Sequence, residues 1–265
     1  MAPELPSFTE DQWLASADPT EMLTVIYPKS TERQMRLFTA ACCRRVWKWM
    51  PAVSREAVEW MEPAADNLGD FLKFRAGFPP AAVNVEYPAI NTVSEWYSAR
   101  SVVGLAGLWS LDDLVLAVTA STAAAMALEG LRWANDPTWE QLLRTAWINS
   151  GRPSEAWRRD SLEPTGLIGP VELSQFPGWA TERREQAALL RHIVGNPFRP
   201  YPVPAFWPST VVELAQAVYD GHGDHRVLSD AVEEVGHQEL AEHFRGEEWH
   251  PKGCWGLDLI LGRGR

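Results

Sequence analysis

Three cysteines in 265 residues are too few for a disulfide scaffold. Basic residues are also scarce: 24 Lys and Arg stand against 35 Asp and Glu, for a formal charge of −11. The deficit is even, −6 over residues 1–150 and −5 over 151–265, so neither half carries the basic footprint of a phosphate-backbone binder. Long apolar runs are missing. The longest uncharged stretch, Leu114 to Leu128, has fifteen residues rich in Ala, Thr and Ser. A bilayer span needs about 20 apolar residues, so this stretch reads as a buried helix. Alternating β-branched segments are nearly absent, with Val83–Tyr87 as one short candidate. Walker A, Gly-x-Gly-x-x-Gly, Gly-x-Ser-x-Gly and His-Glu-x-x-His motifs are all lacking.

What is present is a large apolar fraction, 46%, with 22% charged residues, a composition that folds around a core rather than staying disordered. Met1–Ser7 has neither a basic n-region nor an apolar h-region. Together with the odd cysteine count, that gives the expectation of a cytoplasmic chain with reduced thiols.

Helix-start signals recur. Asp18-Pro-Thr-Glu21 combines an N-cap acid, Pro at the first helical position and a capping-box Glu. Asp136-Pro-Thr repeats part of it, Ser110-Leu-Asp-Asp113 opens the Ala-rich helix, and Thr210-Val-Val-Glu213 reads as another capping box. Gly236 is a good stop for a helix over Val227–Val235. The reading is all-α, a multi-helix globular protein with long Pro- and Gly-rich loops. Three regions follow from the loops: 1–160 with the Ala-rich helix, 161–208 as a connector and helix, and 209–265 with most of the histidines. All three are compatible with one domain.

The segment 30–50 is amphipathic on a helical wheel. Cys42 lies at the centre of its apolar face, and Cys43 at the edge. Arg33, Arg36, Arg44 and Lys48 gather on the other side with Trp47 near them, and Arg45 lies between the two faces. Such a stripe is ordinarily a solvated face paired with neighbouring acids. Its functional reading is a surface for an anion or an acidic partner, with Trp47 as an anchor. The fourteen tryptophans are scattered from Trp13 to Trp255, which favours core packing over a ligand cage.

Five of six histidines lie between residues 222 and 250, followed by Cys254. Zinc takes imidazole and thiolate ligands, and a tetrahedral structural site needs four. His237, His243, His250 and Cys254 are therefore the candidate ligand set, with zinc as the candidate cofactor. His237 and His243, six apart, face different ways on a continuous helix. They converge only if His237 precedes the helix after the Gly236 break. Pro251 and Gly253 place His250 in a loop, free to turn inward.

Several segments resemble an uncharacterised bacterial protein family. They are Trp13-Leu-Ala-Ser-Ala-Asp-Pro19, Arg36-Leu-Phe-Thr-Ala-Ala-Cys-Cys-Arg-Arg-Val-Trp47, Gly195-Asn-Pro-Phe-Arg-Pro200, Val212–Asp220, Ala231–Gly236 and His250-Pro-Lys-Gly-Cys-Trp-Gly-Leu-Asp-Leu-Ile-Leu-Gly262. The likeness covers both ends of the chain and little of 77–180. It implies no reaction, substrate or partner. The family pattern often carries Cys where this chain has His237, an exchange natural for a metal ligand, while His222 and His225 fall outside it.

The expectation from these features is a non-enzymatic helical protein-interaction or regulatory module, with another protein as its partner. The alternatives are a zinc-stabilised module or metal-dependent hydrolase using the His/Cys cluster, and a polyanion binder using the basic stripe. Nucleic acid is disfavoured by the net charge, and no membrane partner is expected.

Overall fold

Local capping chemistry starts the first helices. Thr9 and Gln12 exchange bonds in a capping box, with the Thr9 hydroxyl accepting from the Gln12 amide and the Gln12 side chain accepting from the Thr9 amide. They open α1 (Glu10–Ala15). Asp18 accepts from the Thr20 amide at 2.8 Å, and Pro19 occupies the first position of α2 (Pro19–Ile26), as the sequence signal indicated. In this computed structural model the described residues are 8–45, 47, 52–67 and 179–263. Val83–Tyr87, the Ala-rich helix after Ser110, the Asp136 helix start, the 161–178 loop and Lys48 lie outside them.

A 3₁₀ turn, Tyr27–Lys29, leads into α3 (Glu32–Arg45), and α4 (Ala52–Ala65) follows. The C-terminal part contains α5 (Trp179–Val194), α6 (Ser209–Tyr219), α7 (His225–Glu234), α8 (Gln238–Gly246) and α9 (Trp255–Leu261). The protein is all-α, and among the described residues there is no strand. No helix among them is long and apolar enough to cross a membrane.

Two expected boundaries shift. The α-helix expected over 30–50 ends at Arg45, and Trp47 is in a 3₁₀ conformation. The helix expected to be capped by Thr210 starts at Ser209. Pro208, extended at φ −56°, ψ 143°, is its N-cap and gives no side-chain hydrogen bond, so Thr210 falls inside the first turn.

The helices bury two apolar clusters. The first joins α1, α2, α3 and α5 through Trp13, Met22, Phe38, Cys42, Leu190 and Ile193. The second joins α6 to α9 through Ala215, Leu228, Leu240, Phe244, Cys254 and Leu257. Cys42 sits in the core as the wheel indicated. Cys43, placed by the wheel at the edge, is fully buried because α4 packs on α3. Trp13 is fully buried and its indole N–H donates to the Gly195 carbonyl at 3.1 Å, whereas Trp249 is 47% exposed.

The basic stripe of α3 turns inward. Arg33 grips Asp258 of α9 with two N–H groups, and its Nε donates to Asp66 at 2.7 Å. Tyr219 donates its hydroxyl to the same Asp66 at 2.8 Å, and Arg263 donates to it at 2.7 Å. Arg44 forms a two-pronged pair with Glu62 at 2.9 and 2.7 Å and lies over the Trp47 ring. Arg45 does the same with Glu182 at 2.9 and 3.0 Å, and Arg36 bonds Glu32. Arg33, Arg44 and Arg45 thus tie α3 to neighbouring elements, while the Arg36–Glu32 pair lies within α3.

The Arg33–Asp258 pair yields a direct test. Asp258 is 4% exposed at its side chain, so Asp258→Asn leaves Arg33 with Asp66 as its remaining carboxylate and costs about 2 kcal/mol in urea unfolding. Asp230, whose bond to Arg245 is at the surface, is the comparison. Asp230→Asn leaves the unfolding midpoint in place.

Candidate metal centre

The two apolar clusters meet at a group of four side chains. His192 comes from the last turn of α5, three residues after Leu189, so both share the edge of the buried stripe whose centre is Leu190 and Ile193. His243 lies in the last turn of α8, three residues after buried Leu240. His250 is in the loop after α8, and Cys254 is the residue preceding the first turn of α9.

The loop reaches its shape through glycine. Gly253 has φ +87°, and a Cβ there would stand 2.9 Å from the Leu37 Cβ, so no other residue fits between the loop and α3. Gly256 permits the close approach of α9 to α8, since a Cβ would meet the Leu240 side chain at 2.9 Å and His243 at 3.1 Å. The Cys254 amide closes the turn on the Pro251 carbonyl at 3.0 Å.

These supports bring one donor atom from each residue together, all within 4.8 Å of one another. His192 Nε2 lies 3.1 Å from His250 Nδ1, His243 Nε2 lies 3.1 Å from Cys254 Sγ, and Cys254 Sγ lies 3.7 Å from His250 Nδ1. The three imidazole centroids form a triangle with sides of 4.7, 4.9 and 5.2 Å. A tetrahedral ion with Zn–N near 2.0–2.1 Å and Zn–S near 2.3 Å has edges of about 3.3 Å for N···N and about 3.5 Å for N···S. The observed separations bracket those edges.

Tautomers follow from the neighbours. His250 Nε2 is 3.3 Å from the Phe244 carbonyl, which only accepts, so that nitrogen carries the proton and Nδ1 is left with its lone pair toward the cluster. A backbone carbonyl holding the distal N–H is the usual support for a ligating histidine. Burial, reinforced by the other imidazoles, pushes His192 down to about 2. The same causes take His243 to about 3. Burial takes His250 to about 4, opposed in part by its bond to Phe244. All three imidazoles are therefore neutral and able to donate lone pairs at pH 7. Burial pushes the Cys254 thiol up to about 12, opposed in part by the Leu257 and Gly256 amides. A cation is what would offset that burial and hold the sulfur as thiolate.

The structure brings together three of the four sequence candidates, His243, His250 and Cys254, and adds His192. His237 does precede α8, as its N-cap, but it turns the other way. Its Nδ1 is bonded to the Tyr201 hydroxyl at 2.9 Å and its ring packs 4.6 Å from Trp207. The Pro-rich segment between those two aromatics holds it. His192 was missed because its nearest cluster partner is 51 residues away in sequence, and one histidine in an amphipathic helix has no spacing to read. Its only local signal was a polar residue on the edge of a buried stripe. For the second set of candidates, Arg33, Arg36, Arg44 and Arg45 are each bonded to carboxylates, Trp47 lies under Arg44, and Lys48 is outside the described residues.

The depressed imidazole values carry a pH signature when metal is withheld by excess chelator. Unfolded histidine titrates near 6.5, above all three folded values, so below that pH the unfolded chain binds more protons and acid favours unfolding. Each histidine then removes up to about 1.4 kcal/mol per pH unit. The urea midpoint falls between about pH 7 and about pH 5. His192→Ala makes that fall shallower. No protein-family model, no curated protein and no solved structure matches this chain.

Proposed function

We propose that the protein is a zinc-stabilised helical module, with His192, His243, His250 and Cys254 as the ligands of one Zn²⁺. The observation that carries this reading is the convergence within 4.8 Å of four donor atoms from two helices and the loop that joins α8 to α9. Three nitrogens and a sulfur suit a borderline-soft ion, whereas Mg²⁺ and Ca²⁺ take oxygen ligands. Four protein donors complete a tetrahedron, which favours a structural role over catalysis at an open position.

In this reading the ion clamps α5 of the first apolar cluster to α8 and α9 of the second. Structural zinc is worth of order 10 kcal/mol in small peptides. A clamp of that strength holds a helical surface in one arrangement for another protein, in keeping with the absence of a catalytic motif. The ion-paired state of the α3 stripe supports this reading over polyanion binding, because Arg33, Arg44 and Arg45 already have carboxylate partners.

Elemental analysis of protein purified without a His tag tests the proposal. Wild type carries close to one zinc per chain. His192→Ala and Cys254→Ala lose it, and His237→Ala keeps it. Zinc retained by His192→Ala but lost from His237→Ala would restore the sequence-derived ligand set and overturn the one read from the structure. Well-folded wild type free of metal after growth in zinc would overturn the proposal itself.

A further inference from the structure

A cavity of about 430 Å³ opens beside the four-donor group, and His250 is the one member of that group in its wall. His225 lies across from it, at the first position of α7, with ring centroids 5.2 Å apart. The backbone at His225 is well fixed, because Asp224 caps the helix by accepting from the Arg226 amide at 2.8 Å. His225 itself is part-exposed, whereas His250 is buried. The two imidazoles therefore span the passage from the cavity to the buried donors.

The charges around the cavity favour a cation. Arg44 and Glu62 neutralise each other in a two-pronged pair. Asp220 and Glu248 then face a single remaining lysine, Lys252. A hydrated divalent ion entering a buried site must exchange water for protein ligands one at a time. A fixed imidazole at the mouth, one ring away from a ligand, lowers the barrier to that exchange without being part of the final set. An acidic lining raises the local concentration of the ion.

We infer that this cavity is the entrance through which the metal reaches the cluster, and that His225 is the residue that first takes the ion and passes it to His250. The inference rests on the metal-site reading above and adds a loading route to it. His225 is a transfer residue, so removing it changes rates in both directions by one factor and leaves the equilibrium alone. That pattern separates it from a ligand, whose loss weakens binding and speeds release.

The test uses the full chain and two metals. Uptake of Co²⁺ by the chelator-treated protein is followed through the cobalt–thiolate absorption of Cys254. Release of Zn²⁺ from the loaded protein to a chromogenic chelator gives the reverse rate without relying on the metal-free fold. His225→Ala slows uptake and release several-fold by the same factor, with the final stoichiometry unchanged. His222→Ala, in the same turn but outside the cavity wall, retains wild-type rates. Glu248→Lys, an exposed change, slows uptake at low ionic strength. Wild-type rates in His225→Ala overturn the inference and direct entry past the part-exposed His243 instead. Faster release with reduced stoichiometry in His225→Ala also overturns it, since His225 is then a ligand. If wild type takes up no cobalt and holds no zinc, the metal-site reading itself falls.

Discussion

The architecture turns on the meeting of His192 with His243, His250 and Cys254. Each apolar cluster on its own is a few short helices; across the seam α5 packs on α9, and His192 of α5 packs on His243 of α8. Three imidazoles and a thiol are a costly thing to place in such a seam, because burial there strips water from every lone pair. The imidazoles respond by staying neutral, and the thiol is driven up to about 12. The proposed cation would convert that burden into a clamp, since it would take the lone pairs that water has vacated.

The second tie across the seam is ionic. Arg33 of α3 reaches Asp258 of α9, while Tyr219 of α6 and Arg263 share Asp66 with it. Asp258 lies one turn beyond Cys254 on the same helix, so α9 is held at one end by the donor cluster and along its side by the arginine. Buried pairs of this kind specify arrangement more than they add stability. The carboxylates that partner Arg33, Arg44 and Arg45 come from α4, α5, α9 and the residue after α4. The arginines of α3 thereby tie it to α4, α5 and α9.

How far the sequence disclosed this depended on range. Local signals were read well: Asp18 with Pro19 starts α2, Gly236 separates α7 from α8, and Pro251 with Gly253 frees His250 from helix. The i, i+4 relation of His250 and Cys254 also survived, because both lie on one short loop that folds on itself. Long-range pairings did not. The wheel separated the basic residues of α3 from its apolar face, yet it carried no information on which carboxylates lay opposite. His237 precedes α8, the condition under which it could join the cluster, but Tyr201 and Trp207, 36 and 30 residues earlier, hold it away. His192 had no spacing signal at all, and only tertiary packing puts it next to His250. Periodicity sees one helix at a time, and the donor group is made by two helices and a loop.

X-ray absorption at the zinc edge of the loaded protein tests the clamp most directly. The account predicts a four-coordinate first shell of three nitrogens at about 2.0–2.1 Å and one sulfur at about 2.3 Å. A shell of oxygens alone, or one lacking sulfur, would contradict it, because Cys254 would then stand outside the ion's reach.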